Sequence, residues 1–140
     1  MRKIIFLVVL LLLLLASVYV YWSYYYVYES GKKEGILYGF SLKGSLFKTQ
    51  EGVILQPGLR ASKTGGLNTN EFHFSVIDEA VADSLDRCNG MQVEVHYNRY
   101  RKSLPWRGEN YNRDNKDKGQ YIVDRIVSVK EPNEAYNSYR

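Results

Sequence analysis

The sequence predicts an N-terminal transmembrane helix followed by a mainly-β domain, a small five-stranded barrel with one helix between its third and fourth strands. Three observations lead there. An uncharged apolar run fills Ile4 to Tyr28. Five later segments alternate apolar and polar residues, and glycines interrupt the first two, as strands that bend to close a small barrel require. Between the third and fourth segments the apolar spacing changes from 2 to about 3.6 residues.

The first element is the span. A helix rises about 1.5 Å per residue, so roughly 20 apolar residues cross a hydrocarbon core of about 30 Å. Ile4 to Tyr24 meets that length and carries no polar stripe. Tyr19, Tyr21, Trp22, Tyr24, Tyr25, Tyr26 and Tyr28 follow, and rings with a polar tip settle at the headgroup level. Arg2 and Lys3 precede the run, which places the N-terminus in the cytoplasm and the later chain outside, in a bacterium beyond the inner membrane. A cleaved signal peptide shares the basic start, but cleavage wants small residues, and Val18-Tyr19-Val20 is bulky. Residues 1–28 therefore read as an uncleaved anchor and bind the bilayer through residues 4–28.

Residues 29–34 are polar and read as a short linker, 35–130 as the β domain and 131–140 as a flexible tail. The net charge of +4 includes Arg2 and Lys3, and every acid lies after Tyr28; without those two cations the outer part is +2. Such a near balance argues against a general polyanion binder. Cys88 is the single cysteine, so no disulfide forms within the chain.

In the β domain, Ile36, Tyr38, Phe40 and Leu42 fall on one face of a first strand, with a bulge suggested at Gly39. Lys43-Gly44-Ser45 turns into a second strand, Leu46 to Leu55, with another bulge suggested at Gly52. Residues 56–70, rich in Gly, Asn and Pro, read as a loop. Phe72, Phe74 and Val76 then alternate with His73 and Ser75. Val81, Leu85 and Cys88 lie at i, i+4, i+7 of a short helix that Asp78 caps and Asn89-Gly90 ends. Met91, Val93, Val95 and Tyr97 make the fourth strand. A long polar loop, Arg99 to Gly119, leads to the fifth, Gln120 to Lys130, with a face change near Asp124-Arg125. This order of bent strands and one helix is that of an OB-like barrel; an open α+β sheet is the competing arrangement.

Three strings carry a resemblance. They are Gly44-Ser45-Leu46-Phe47-Lys48-Thr49-Gln50-Glu51-Gly52, then Phe74-Ser75-Val76, then Pro105-Trp106-Arg107-Gly108 with Tyr121-Ile122-Val123. Together they resemble short bacterial proteins with one N-terminal span and a small OB-like outer domain, often labelled 6-phosphogluconate dehydrogenase. The resemblance implies the architecture. It does not extend to that activity, because no Gly-x-Gly-x-x-Gly turn exists here to seat a dinucleotide.

No catalytic set or cofactor site emerges. Two histidines, His73 and His96, fall on outer strand faces and do not make a zinc set. His73 and Ser75 share a face, a common strand spacing, and no serine sits in a nucleophile-elbow string. The acids Asp78, Glu79, Asp83 and Asp86 suit a solvated helix face. The one segment that invites a ligand is basic and aromatic: Arg99, Arg101, Trp106, Arg107 and Tyr111, with Lys48 and His73 on the neighbouring barrel face. Arginines and rings together grip phosphates, sugars or base planes; a loop anchored back on the barrel by Pro105-Trp106 gives the same composition. The functions weighed are a membrane-tethered module that binds an envelope protein or glycan, a structural subunit of a membrane complex, and a single-strand nucleic-acid binder. The outside placement argues against the last.

Overall fold

In the computed structural model residues 1–56, 70–109 and 119–131 are described. Helix α1 (Arg2–Val20) runs into a π-helical turn (Tyr21–Tyr25) and is followed by β1 (Val27–Lys43), β2 (Thr49–Gln56), β3 (Asn70–Val76), α2 (Glu79–Asp86), β4 (Gln92–Tyr100) and β5 (Gln120–Lys130). Together Arg2–Tyr25 form one helix long and apolar enough to cross a membrane. The chain is thus an apolar N-terminal helix joined to a mainly-β domain with a five-stranded sheet.

The strands pair in the cyclic order β1-β2-β3-β5-β4. β1 serves two neighbours. Its first half pairs antiparallel with β4, from Val27↔Tyr100 to Ile36↔Gln92. Its second half pairs with β2, from Ile36↔Leu55 to Lys43↔Thr49. At this pivot a Cβ on Gly35 would run into the Leu55 carbonyl, so only glycine lets the two strands approach. The cycle closes through a short parallel match, Ser75↔Ile122 and Val76↔Val123.

The pairing of β1 corrects the expected linker. Residues 29–34 are strand, because β4 continues to Tyr100 and gives each of them a partner. Arg99 accordingly belongs to β4 and not to a loop. The face assignment in β1 also changes. The register shifts between Leu37 and Gly39, which leaves Tyr38 in the bulge. Leu37 is fully buried, while Tyr38 and Leu42 are exposed. At Gly52 no bulge forms; its register with Phe40 and Phe74 is regular, and the missing side chain makes room for the Phe74 ring. β2 begins at Thr49, so Leu46–Lys48 belong to the turn.

The core joins Leu37, Ile54, Phe72, Phe74, Val76, Val93, Val95, Tyr97 and Val123 to Ala82 and Leu85 of α2. Asp78 caps α2 by accepting from the Ala80 and Val81 amides at 2.8 and 3.3 Å. Gly90, at φ +81°, ends the excursion and donates its N–H to the Leu37 carbonyl. Cys88 is partly buried against this core. The expected loop and the expected tail fall, over 57–69 and from 132, outside the described residues.

Candidate functional site

Three of the residues expected to grip a ligand, Arg99, Arg101 and Arg107, gather instead where the apolar helix meets the β domain. The π-helical turn closes with the Tyr26 N–H bonded to the Tyr21 carbonyl at 3.1 Å. One extra residue per turn widens the helix, and its rings pair off: Tyr21 stacks on Tyr25, and Trp22 on Tyr26 with centroids 4.4 Å apart. Val27 then enters β1 beside Tyr100, so the segment after β4 emerges next to these rings.

That segment folds onto them. The Arg101 guanidinium lies 5.0 Å from the Tyr28 ring centroid and 6.0 Å from that of Trp22. Lys102 Nζ sits 5.4 Å from the Tyr19 ring and 5.3 Å from the Tyr24 ring. Arg107 is the centre of this collar. It is only 7% exposed, and its guanidinium stacks 3.8 Å from the Tyr100 centroid. Its Nε–H donates to Gln120 Oε1 at 2.5 Å, and its terminal nitrogens donate to the Tyr24 carbonyl at 2.7 Å and the Lys102 carbonyl at 2.8 Å. A planar fork fits three oxygens in different directions; a lysine ammonium does not. Burial lowers the Arg107 pKa, and the neighbouring Tyr100 and Tyr25 oppose that shift.

A polar network continues inward from Arg107. Gln120, 1% exposed, also donates to the Gly108 carbonyl at 2.8 Å. Gly108 lies against Ser75, where a Cβ would collide with the serine side chain. Ser75 and Glu51 are paired across β2 and β3 and both are buried. Glu51 accepts from Thr49 Oγ1 at 2.5 Å, Ser75 Oγ at 2.7 Å and the Glu109 N–H at 3.1 Å. The outer face of β2 and β3 is therefore covered at this point by the chain's own Gly108-Glu109. Ser75 is not the exposed residue its place in the alternation suggests.

Along the strands beside the collar, Glu29 accepts from the Tyr97 hydroxyl at 2.6 Å and from Arg99 at 3.1 Å. These bonds, the tyrosine's foremost, lower the Glu29 pKa. Burial, with the Glu29 bond second, pushes the Tyr97 hydroxyl up to about 12. The Arg99 guanidinium also lies between the Tyr28 and Tyr121 rings, 5.4 and 5.5 Å from their centroids.

The expected set thus divides. Arg99, Arg101 and Arg107 meet at the collar. Lys48 lies exposed in the β1–β2 turn, and His73 pairs with Glu71 on its own strand at 3.1 Å. Trp106 is 57% exposed and meets Phe47 edge-on at 6.2 Å. Tyr111 lies outside the described residues. Among the described residues no group of three or more His, Cys, Asp or Glu is placed to hold a metal ion.

One arrangement is not foreseen from the sequence. Ser30 Oγ lies 2.9 Å from His96 Nε2, and His96 Nδ1 lies 2.6 Å from Asp124 Oδ1. Asn98 donates to the other Asp124 oxygen at 3.3 Å. Asp124 reaches His96 because β5 bulges there: His96 faces Arg125 and Tyr97 faces Val123, leaving Asp124 as the extra residue. The face change near Asp124-Arg125 is its one trace in the sequence. The order matches the serine-activating relay of hydrolases, but here it crosses three neighbouring strands, β1, β4 and β5, and Ser30 stands exposed on the sheet. The bonds join β1, β4 and β5 in a cross-strand polar row at the bulge.

Compared with protein-family models, curated proteins and solved structures, the chain matches none.

Proposed function

We propose that the chain is a membrane-anchored extracytoplasmic module, held rigidly against its own span, that serves as a structural subunit of a membrane protein complex. The observation that carries this reading is the Arg107 clamp. A loop that captures soluble ligands needs its cations free; here Arg99, Arg101, Lys102 and Arg107 face the chain's own tyrosines and carbonyls. A rigid joint between span and domain suits a part that must hold one orientation in an assembly. A shallow groove along the span, lined by Leu13, Ala16, Ser17, Val20, Tyr21 and Tyr25, would suit the packing of a second transmembrane helix, with Ala16 and Ser17 as its small residues.

Several observations support the finer description. The cyclic strand order with β3 parallel to β5, and α2 between β3 and β4, speaks for an OB-like barrel. The basic pair Arg2-Lys3 before the span speaks for an inside N-terminus and an outside domain. Both agree with the resemblance to short single-span bacterial proteins of this build. Among the described residues, the cations on which the envelope-ligand reading, protein or glycan, and the nucleic-acid reading drew (Arg99, Arg101, Lys102 and Arg107) face the chain's own groups.

The test is the native mass of the full chain extracted from its own membrane in mild detergent. The subunit reading expects a discrete complex containing a second protein in fixed ratio. A lone 16.3 kDa chain in its micelle contradicts it. A reporter fused after Tyr139 checks the orientation: it is active outside and silent inside.

A further inference from the structure

The turn between β1 and β2 carries Leu46, the most exposed large apolar side chain of the described β domain, beside Phe47 and, from the segment after β4, Trp106. Leu46 is 83% exposed, Phe47 44% and Trp106 57%. Water-facing loop tips ordinarily carry small polar residues, and nothing in the core needs these three side chains.

Their position gives them a use. Trp106 precedes Arg107, whose guanidinium holds the Tyr24 carbonyl at the end of the helical span. Phe47 meets Trp106 edge-on. The contacts from Tyr24 through Arg107 and Trp106 to Phe47 link the turn to the aromatic belt by a short path through the fold. Lys43 and Lys48 flank the turn and are exposed. An apolar tip with a ring partner and a cationic rim is the composition of segments that settle into the headgroup boundary of an anionic leaflet. α2, by contrast, packs on β1, β3 and β5.

We propose that Leu46, Phe47 and Trp106 form a second membrane contact, inserting at the interface of the same leaflet that the span leaves, so that the β domain stands on the bilayer at two points. The inference rests on the membrane-anchored reading of the span. With the span as one point and the turn as the other, the domain cannot rotate freely about the helix axis. Gly44, at φ +125°, sharpens the turn and projects its tip.

The experiment uses the full chain with Cys88→Ala, reconstituted in vesicles of phosphatidylcholine and phosphatidylglycerol. An environment-sensitive fluorophore is attached at one of three introduced cysteines: Leu46→Cys, Leu12→Cys in the span, or Asp83→Cys on α2. Lipids brominated near the headgroup or deep in the chain serve as quenchers. The expected result is a blue-shifted label at 46 quenched by the shallow bromines, a label at 12 quenched by the deep ones, and a label at 83 quenched by aqueous iodide alone. A label at 46 that behaves like the one at 83, while 12 is quenched by lipid, overturns the second contact and leaves the anchor standing. Shielding of position 46 from both iodide and bromine overturns it too, since a protein partner then covers the turn. If position 12 escapes lipid quenching, the anchor reading and this inference fall together.

Discussion

The interior of the β domain and the collar are built from opposite materials. The interior is apolar, with Leu37, Ile54, Phe74, Leu85, Val93, Val95 and Val123 almost wholly buried, and its cohesion is non-directional. The collar is made of cations, rings and directed hydrogen bonds, with Arg107 shared among Tyr24, Lys102 and Gln120. A core of that first kind tolerates changes of shape better than changes of volume. A joint of the second kind depends on the geometry of one planar fork. On the proposed reading, the first holds the β domain together and the second fixes the direction in which it faces.

Removing core volume breaks the molecule at its strongest point. Phe74→Ala empties the space between Gly52 and the Phe72 ring, and a loss of about 3–5 kcal/mol in chemical unfolding is expected. Gly52→Ala pushes a methyl into the same ring and destabilises as well, from the side of overpacking.

The collar comes next. Arg107→Ala leaves the Tyr24 and Lys102 carbonyls without the donor they share and Gln120 Oε1 with only the Leu104 N–H at 3.4 Å, an expected cost of about 2–4 kcal/mol on thermal or chemical unfolding. Arg107→Lys keeps the charge and restores little, because an ammonium cannot serve three divergent oxygens and a ring face at once. If Lys rescues fully, charge and not geometry holds the joint.

The third difference appears with pH. The lowered Glu29 pKa means that its carboxylate favours the folded state above the pKa of the unfolded chain; that contribution fades as pH falls through the still lower folded pKa. Tyr97, raised to about 12, favours the folded state fully below its ordinary value of 10.0; that contribution is lost as pH rises towards about 12. Tyr97→Phe should flatten the stability profile at both ends, because it removes the titrating hydroxyl and the bond that lowers Glu29. An unchanged profile would show that the pair contributes nothing.

The smallest effect is expected at the polar row. His96→Ala loses the bonds to Ser30 and Asp124 and should lower stability by about 1 kcal/mol. Fluorophosphonate should leave Ser30 unlabelled, as suits a cross-strand polar row at a bulge. Covalent labelling at Ser30 that disappears in His96→Ala would turn the row into a reactive site.

These two regions are unequally legible in the sequence. Alternation exposes a core, so Phe72, Phe74, Val76, Val93, Val95 and Tyr97 and the capping Asp78 are readable from spacing alone. Near the core, bulges defeat the pattern: one extra residue at Tyr38 exchanges the faces of β1 and hides the importance of Leu37. The collar has no period. Arg107 and Tyr24 are 83 residues apart, and nothing local marks them as partners. The basic aromatic composition is visible, but composition does not say whether rings and cations await a ligand or each other. Residues 29–34 pass for a linker for a related reason: they are polar residues of a strand whose partner lies far along the chain, at the end of β4.

The central claim is that span and β domain form one rigid unit through Arg107. The most direct measurement is the distance between spin labels at Leu15→Cys and Lys130→Cys in the Cys88→Ala full chain, in lipid nanodiscs. The clamp predicts a single narrow distance distribution that broadens in Arg107→Ala while the circular dichroism of the β domain is retained. A broad distribution in the chain with Arg107 intact, unchanged by the substitution, would contradict it.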